Sequence, residues 1–177
     1  MNLFIFLISL ITTSQTSPTP AENLILWSPT RKLTWTDFKA SPDASSSNAA
    51  LTNAKILFSY EHDGETLKFK VRCGFDKTKS WGRVKNDYIL AHEQKHFDIS
   101  ELYARKLYKA LREYKFKVKT VDNDLNAIYQ KVIQEHFTTQ AQYDRETDHS
   151  LRPEEQKKWD EKIDQELKDT KAFANYQ

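Results

Sequence analysis

His92, Glu93 and His96 stand in the order H-E-x-x-H inside the run Asp87 to Ile99. On an α-helix, residues four apart lie one turn above each other. Two imidazoles so placed reach one Zn²⁺ together, while Glu93 projects to the flank, towards a water on the ion. The plain alternative is that two histidines sit in a packed stripe with no metal. A catalytic zinc takes three protein donors and keeps one position for water, so one more donor is needed. The continuation H-E-x-x-H-x-x-G-x-x-H does not supply it: Ile99 stands at the Gly and Leu102 at the third His. No later Glu begins E-x-x-x-D either.

The richest remaining source of donors is Tyr143-Asp144-Arg145-Glu146-Thr147-Asp148-His149, just ahead of Pro153. His149 ranks first, because a neutral imidazole suits Zn²⁺ and a carboxylate can orient its second nitrogen. Glu146 ranks second and Asp144 third. An ordinary charged helix end is the structural alternative. The Tyr143 hydroxyl can stabilise an oxyanion, or its ring can simply pack. Asp98 either orients a ligand imidazole or is solvated. His136 reads as a packing or surface residue.

The elements that must hold these groups are legible in outline. Asn86 to Tyr114 contains no Gly or Pro. His92, His96, Ile99, Tyr103, Leu107, Ala110 and Tyr114 recur at three- and four-residue steps, which predicts one long helix with both histidines on its inward stripe and Asp87 in its first turn. Ahead of it, Lys55–Glu61 and Thr66–Phe75 alternate about Asp63-Gly64, a two-residue hairpin turn. With His62 and Glu65 flanking that turn, Tyr60 faces Leu67, Phe58 faces Phe69 and Ile56 faces Val71. Cys73 and Phe75 continue this apolar face, while Lys68, Lys70 and Arg72 point to solvent and His62 is exposed. Lys32–Trp35 reads as a short strand, Ser41–Asn48 as a polar loop, and Asp76–Val84 as a linker. Asp122 or Asn123 caps a second helix with Leu125, Ile128, Tyr129, Val132, Ile133 and Phe137 on its apolar side, and Pro153 opens a third. Trp35, Phe38 and Trp81 belong to the core or a cleft wall.

Composition narrows the function. The net charge is +2 with both signs interleaved, which gives no footprint for nucleic acid. One cysteine excludes an internal disulfide and any Cys-based zinc site, so Cys73 is a core thiol. The apolar run Leu3–Ile11, followed by Thr12 and Ser14, reads as a signal peptide over residues 1–14, although it lacks a preceding Lys or Arg. Nine apolar residues are too few to span a bilayer. Residues 15–24 then form an unstructured leader and 25–177 a single domain, secreted or periplasmic, with no stable membrane span in the mature chain. The oligomeric state is open.

From Leu33 to Leu167 the chain resembles the predicted secreted zinc-dependent proteases of bacteria catalogued as domain of unknown function 922. The resemblance rests on Leu33-Thr-Trp35-Thr-Asp37-Phe38, Ser80-Trp81, His92-Glu93-Gln94-Lys-His96-Phe97-Asp98-Ile99, Tyr103-Ala-Arg105, and Tyr143-Asp144-Arg-Glu146-Thr147-Asp-His149 with Gln156 and Trp159. It implies a zincin-like peptidase with His92 and His96 as ligands, Glu93 as acid/base and His149 as a further ligand. Ser150 departs from the Gly expected there. The fold expected is therefore α+β, a small antiparallel sheet followed by three helices. The activity expected is peptide-bond hydrolysis at one zinc ion, with a peptide or protein as partner. The competing expectation is a non-catalytic zinc- or ligand-binding envelope domain.

Overall fold

The structure, a computed structural model, describes residues 23–176. The segment read as a signal peptide and nearly all of the leader lie outside the described residues. The order of elements is β1 (Leu24–Leu26), β2 (Ala50–Leu51), β3 (Ala54–His62), β4 (Leu67–Asp76), β5 (Trp81–Gly82), α1 (Asp87–Glu113), α2 (Val121–Thr147) and α3 (Pro153–Asp169). This is the expected α+β arrangement, a small antiparallel sheet followed by three helices. β1, β4 and β3 form one sheet in that order, and β2 pairs with β5 in a separate ribbon. The first strand takes in Leu24, assigned above to the leader; its side chain lies over Gly74, where a Cβ would come within 2.6 Å of it. Among the described residues, no helix is long and apolar enough to cross a membrane.

The hairpin keeps the predicted faces but not the predicted register. Ile56 pairs with Cys73, Phe58 with Val71 and Tyr60 with Phe69, two residues away from the expected partners. The cause is the turn. Asp63 accepts hydrogen bonds from the backbone N–H groups of Glu65 (2.9 Å) and Thr66 (2.7 Å), so four residues, not two, separate the paired positions His62 and Leu67. Gly64, at φ +95°, supplies the left-handed backbone this turn needs. A slip of two preserves side-chain parity. Ile56, Val71, Cys73 and Phe75 are therefore buried, while Lys68, Lys70 and Arg72 remain exposed. Burial pushes the Cys73 thiol well above its ordinary pKa, as befits a core thiol.

Other expectations change locally. Lys32–Trp35 forms no strand; Trp35–Asp37 is a single 3₁₀ turn, closed by the Asp37 side chain accepting from the Thr34 N–H at 2.8 Å. The presumed linker contains β5, whose Trp81 and Gly82 pair with Leu51 and Ala50. α1 starts as predicted, with the Asn86 side chain accepting from the Ile89 N–H and Asp87 in the first turn. α2 begins at Val121, not after Asp122 or Asn123, because Val121 is buried as part of the core. It runs on through Tyr143–Thr147, so the first residues of the donor-rich stretch are helical. The first sheet, the inner face of α1 and the buried faces of α2 and α3 share one core, centred on Phe75, Phe97, Leu107, Leu125 and Ile163.

The β2–β5 ribbon is anchored by Trp35. A Cβ on Gly82 would lie 2.6 Å from the Trp35 ring. Gly82→Ala is therefore expected to destabilise the protein by about 1–3 kcal/mol through overpacking, read as a lower midpoint in chemical denaturation. An unchanged midpoint would show that Trp35 does not seat there.

Candidate functional site

α1 carries His92 and His96 on successive turns, with ring centroids 4.8 Å apart and rings nearly perpendicular. α2 crosses them and presents Asp144. His92 Nε2 lies 3.2 Å from His96 Nε2 and 3.2 Å from Asp144 Oδ1, and His96 Nε2 lies 3.0 Å from Asp144 Oδ1. Among the described residues, these three form the one group of His, Cys, Asp and Glu side chains arranged to hold a metal ion.

Two glutamines fix the orientation of both rings. Gln156 Nε2 donates to the Tyr143 hydroxyl and to Asp160, so its Oε1 faces His92 Nδ1 at 2.8 Å. Gln140 Nε2 donates to the His96 carbonyl, so its Oε1 faces His96 Nδ1 at 2.6 Å. Each Nδ1 must therefore carry a proton, and each Nε2, the atom left to donate a lone pair to a metal or a hydrogen to Asp144, is turned towards that carboxylate. Three possible donor atoms thus converge. Burial works against charge on His96, but the hydrogen bond to Asp144 outweighs it and raises the pKa to about 9. Burial likewise opposes charge on Asp144, yet hydrogen bonds from His92 and His96 hold its carboxyl well below the usual range.

The donor set fits zinc. Bonds of about 2.0–2.1 Å in a tetrahedron put neighbouring donors roughly 3.3 Å apart, close to the separations found here. Glu93 completes the arrangement. It is 4% exposed, and its Oε2 is buried with no hydrogen-bond partner. Its backbone carbonyl accepts from the Thr52 hydroxyl at 3.2 Å, which ties the motif to the β2–β3 link. A cleft of about 270 Å³ opens over these residues, walled by residues 48–54 on one side and by His136, Phe137, Gln140 and Asp144 of α2 on the other.

The other candidate residues are placed away from this group. Glu146 is not brought to the cluster; its carboxylate accepts from Trp159 Nε1 and Gln142 Nε2, both at 2.8 Å, and so locks α3 to α2. It stands two positions after Asp144, which turns it to another face of the helix. His149 lies at the rim, 3.7 Å from Asp144 Oδ1 and more than half exposed, and is not part of the three-atom group. Tyr143 is fully buried, and its ring stacks on His92 with centroids 4.6 Å apart. Its hydroxyl is engaged by Gln156 and the His92 carbonyl. It supports the ring of His92 and does not face the cleft. Asp98 touches neither imidazole nor bulk water: it is 2% exposed and accepts from Trp27 Nε1 and Gln94 Nε2. The sequence reading missed Gln140 and Gln156 as orienting groups. The four-residue steps His136, Gln140, Asp144 were the available signal, since they place all three on one face of α2.

Asp148, His149 and Ser150 all have positive φ (51°, 51° and 74°). The Gly expected at Ser150 would have suited this left-handed backbone, which a serine adopts at a cost of about 1–2 kcal/mol.

The family model described as "Bacterial protein of unknown function (DUF922)" matches residues 23–150. The chain belongs to that family. The match takes in the histidine motif, Asp144 and the strained turn, and the description assigns the DUF922 family no activity. No curated protein and no solved structure matches this DUF922 chain.

The His96–Asp144 pair makes stability depend on pH when metal is removed. Charge on His96 contributes fully below its ordinary pKa of 6.5, and the contribution fades as pH rises through about 9. In excess chelator, the denaturation free energy is expected to fall by on the order of 2–3 kcal/mol between pH 6.5 and 9.5. Asp144→Asn should flatten that dependence. A flat profile for the parent would contradict the pairing.

Proposed function

We propose that this DUF922 domain is a single-zinc peptidase of the bacterial envelope or exterior, with His92, His96 and Asp144 holding the ion and Glu93 handling the proton. The observation that carries this reading is the convergence of three possible donor atoms within 3.2 Å of one another, beside a buried carboxylate oxygen that has no partner. A buried, unsatisfied polar atom costs about 1–3 kcal/mol, so the chain has reason to keep one only where something else meets it. A bound zinc ion would supply an acidified water and polarise a substrate carbonyl. Glu93 takes a proton at Oε2 and returns it to the departing amine. Gln140 and Gln156 hold the protons on both Nδ1 atoms, so the Nε2 atoms stay available as donors. Among the described residues β2 pairs with β5 alone, and its Ala50 and Leu51 line the cleft, where an extended peptide can lie as an added strand. The apolar run Leu3–Ile11 supports export.

A second reading is favoured by His149. Its Nδ1 stands 3.7 Å from Asp144 Oδ1, close enough that a fourth protein donor would close the site and make it structural.

The test is zinc content beside peptide hydrolysis. The parent is expected to retain one zinc after dialysis, and Glu93→Gln to retain it while losing about 10²–10⁴ in turnover. Asp144→Ala should lose the metal, and Glu146→Gln should keep it. A zinc-loaded parent without peptidase activity, whose metal is lost on His149→Ala, would favour the structural site. Full turnover by Glu93→Gln would refute the assignment of the proton.

A further inference from the structure

Among the described residues, three buried side-chain atoms lack a hydrogen-bond partner: Glu93 Oε2, His136 Nδ1 and Asn53 Oδ1. All three belong to residues that line the same cleft. Glu93 is accounted for above. The other two come from different walls, His136 from α2 and Asn53 from the link between β2 and β3.

The contact with Gln140 fixes which nitrogen of His136 is protonated. Gln140 Nε2 donates to the His96 carbonyl at 2.9 Å, which sets the orientation of its amide, and the same nitrogen lies 3.0 Å from His136 Nε2. An amide nitrogen donates and does not accept, so His136 Nε2 must accept. The Ser100 hydroxyl, 3.0 Å from His136 Nε2 and 3.1 Å from the His96 carbonyl, can donate to either. The proton of the neutral ring therefore sits on Nδ1, the atom without a partner. Burial, and next the charge of nearby His96, disfavour the cation and lower the His136 pKa to about 4, so the ring is a neutral donor at working pH. The sequence reading of His136 as a packing or surface residue captured its burial and not this role.

We propose that His136 Nδ1–H and Asn53 Oδ1 form a clamp for a peptide backbone, one donating to a substrate carbonyl and the other accepting from a substrate N–H. The ligand class is then an extended chain of secondary amides; an ester or a lone acyl group offers nothing to Asn53. The inference rests on the peptidase reading and deepens it. His136 stands eight residues before Asp144 on α2, about 12 Å along the helix axis. That distance corresponds to roughly three or four residues of extended chain, so the clamp grips backbone away from the scissile bond and raises affinity for long substrates. The ring beside His136 is Phe137, with centroids 5.4 Å apart; at 60% exposed it has little packing to lose when a chain enters.

The experiment uses full-length, zinc-loaded Glu93→Gln protein with ¹⁵N-labelled histidine, and as probes a random-sequence decapeptide mixture and the matching depsipeptides with esters in place of amides. Long-range ¹H–¹⁵N spectra should show His136 as the neutral Nδ1–H tautomer between pH 5.5 and 8, and its Nδ1 signal should move when peptide binds. His136→Phe and Asn53→Ala, each made on that background, should weaken peptide binding about tenfold, the loss of one hydrogen bond, with zinc content unchanged. Depsipeptides should bind the Glu93→Gln protein about tenfold more weakly than peptides, and Asn53→Ala should erase that difference. An Nε2–H tautomer, peptide binding that leaves the His136 signal in place, or loss of zinc in His136→Phe overturns the clamp alone. Absence of any peptide binding overturns the clamp together with the peptidase reading.

Discussion

Three electron-rich atoms held 3.0–3.2 Å apart repel one another unless positive charge lies among them. That constraint explains most of what surrounds them. Without a metal, a proton is the available charge, which is why Asp144 makes His96 so reluctant to release one. A divalent ion would answer the same demand more completely. The frame then has one task, to keep the lone pairs from turning away.

It does so with amides and one aromatic ring. Gln140 and Gln156 each face an imidazole with Oε1, and each is pinned by hydrogen bonds donated from its Nε2. Tyr143 fills the space beneath His92 and abuts Trp159, whose Nε1 donates to Glu146. The helices therefore meet through the groups that hold the histidines. Other buried charges nearby are equally occupied: Glu101 pairs with Arg105 at 2.7 Å and Asp98 with Trp27 at 2.8 Å. Against that background of satisfied groups, the partnerless atoms of Glu93, His136 and Asn53 mark the cleft as the place where something else completes the chemistry.

The parts of this arrangement set by local spacing were readable in the sequence. A four-residue step on a helix free of Gly and Pro, capped by Asn86, places His92 and His96 together whatever the rest of the chain does. Strand alternation gave the correct face for every hairpin residue, yet not the partners, because the Asp63 side chain builds a longer turn than Asp-Gly alone suggests. Asp144, ranked behind His149 and Glu146, is the one that lies beside the two histidines, for a tertiary reason. Chemical preference favoured a second imidazole source, but α2 continues to Thr147, and helix phase then decides which carboxylate faces α1. Gln140 was signalled only by its four-residue spacing from Asp144, and what Gln156 does appears once α3 is laid against α1.

The central claim is that His92, His96 and Asp144 jointly bind one ion, and zinc K-edge X-ray absorption on the loaded protein tests it most directly. The account predicts two imidazole nitrogens and carboxylate or water oxygens at about 2.0–2.2 Å, no sulfur, and loss of one imidazole from the shell in His96→Ala. A shell without imidazole, or one unchanged by that substitution, would contradict it.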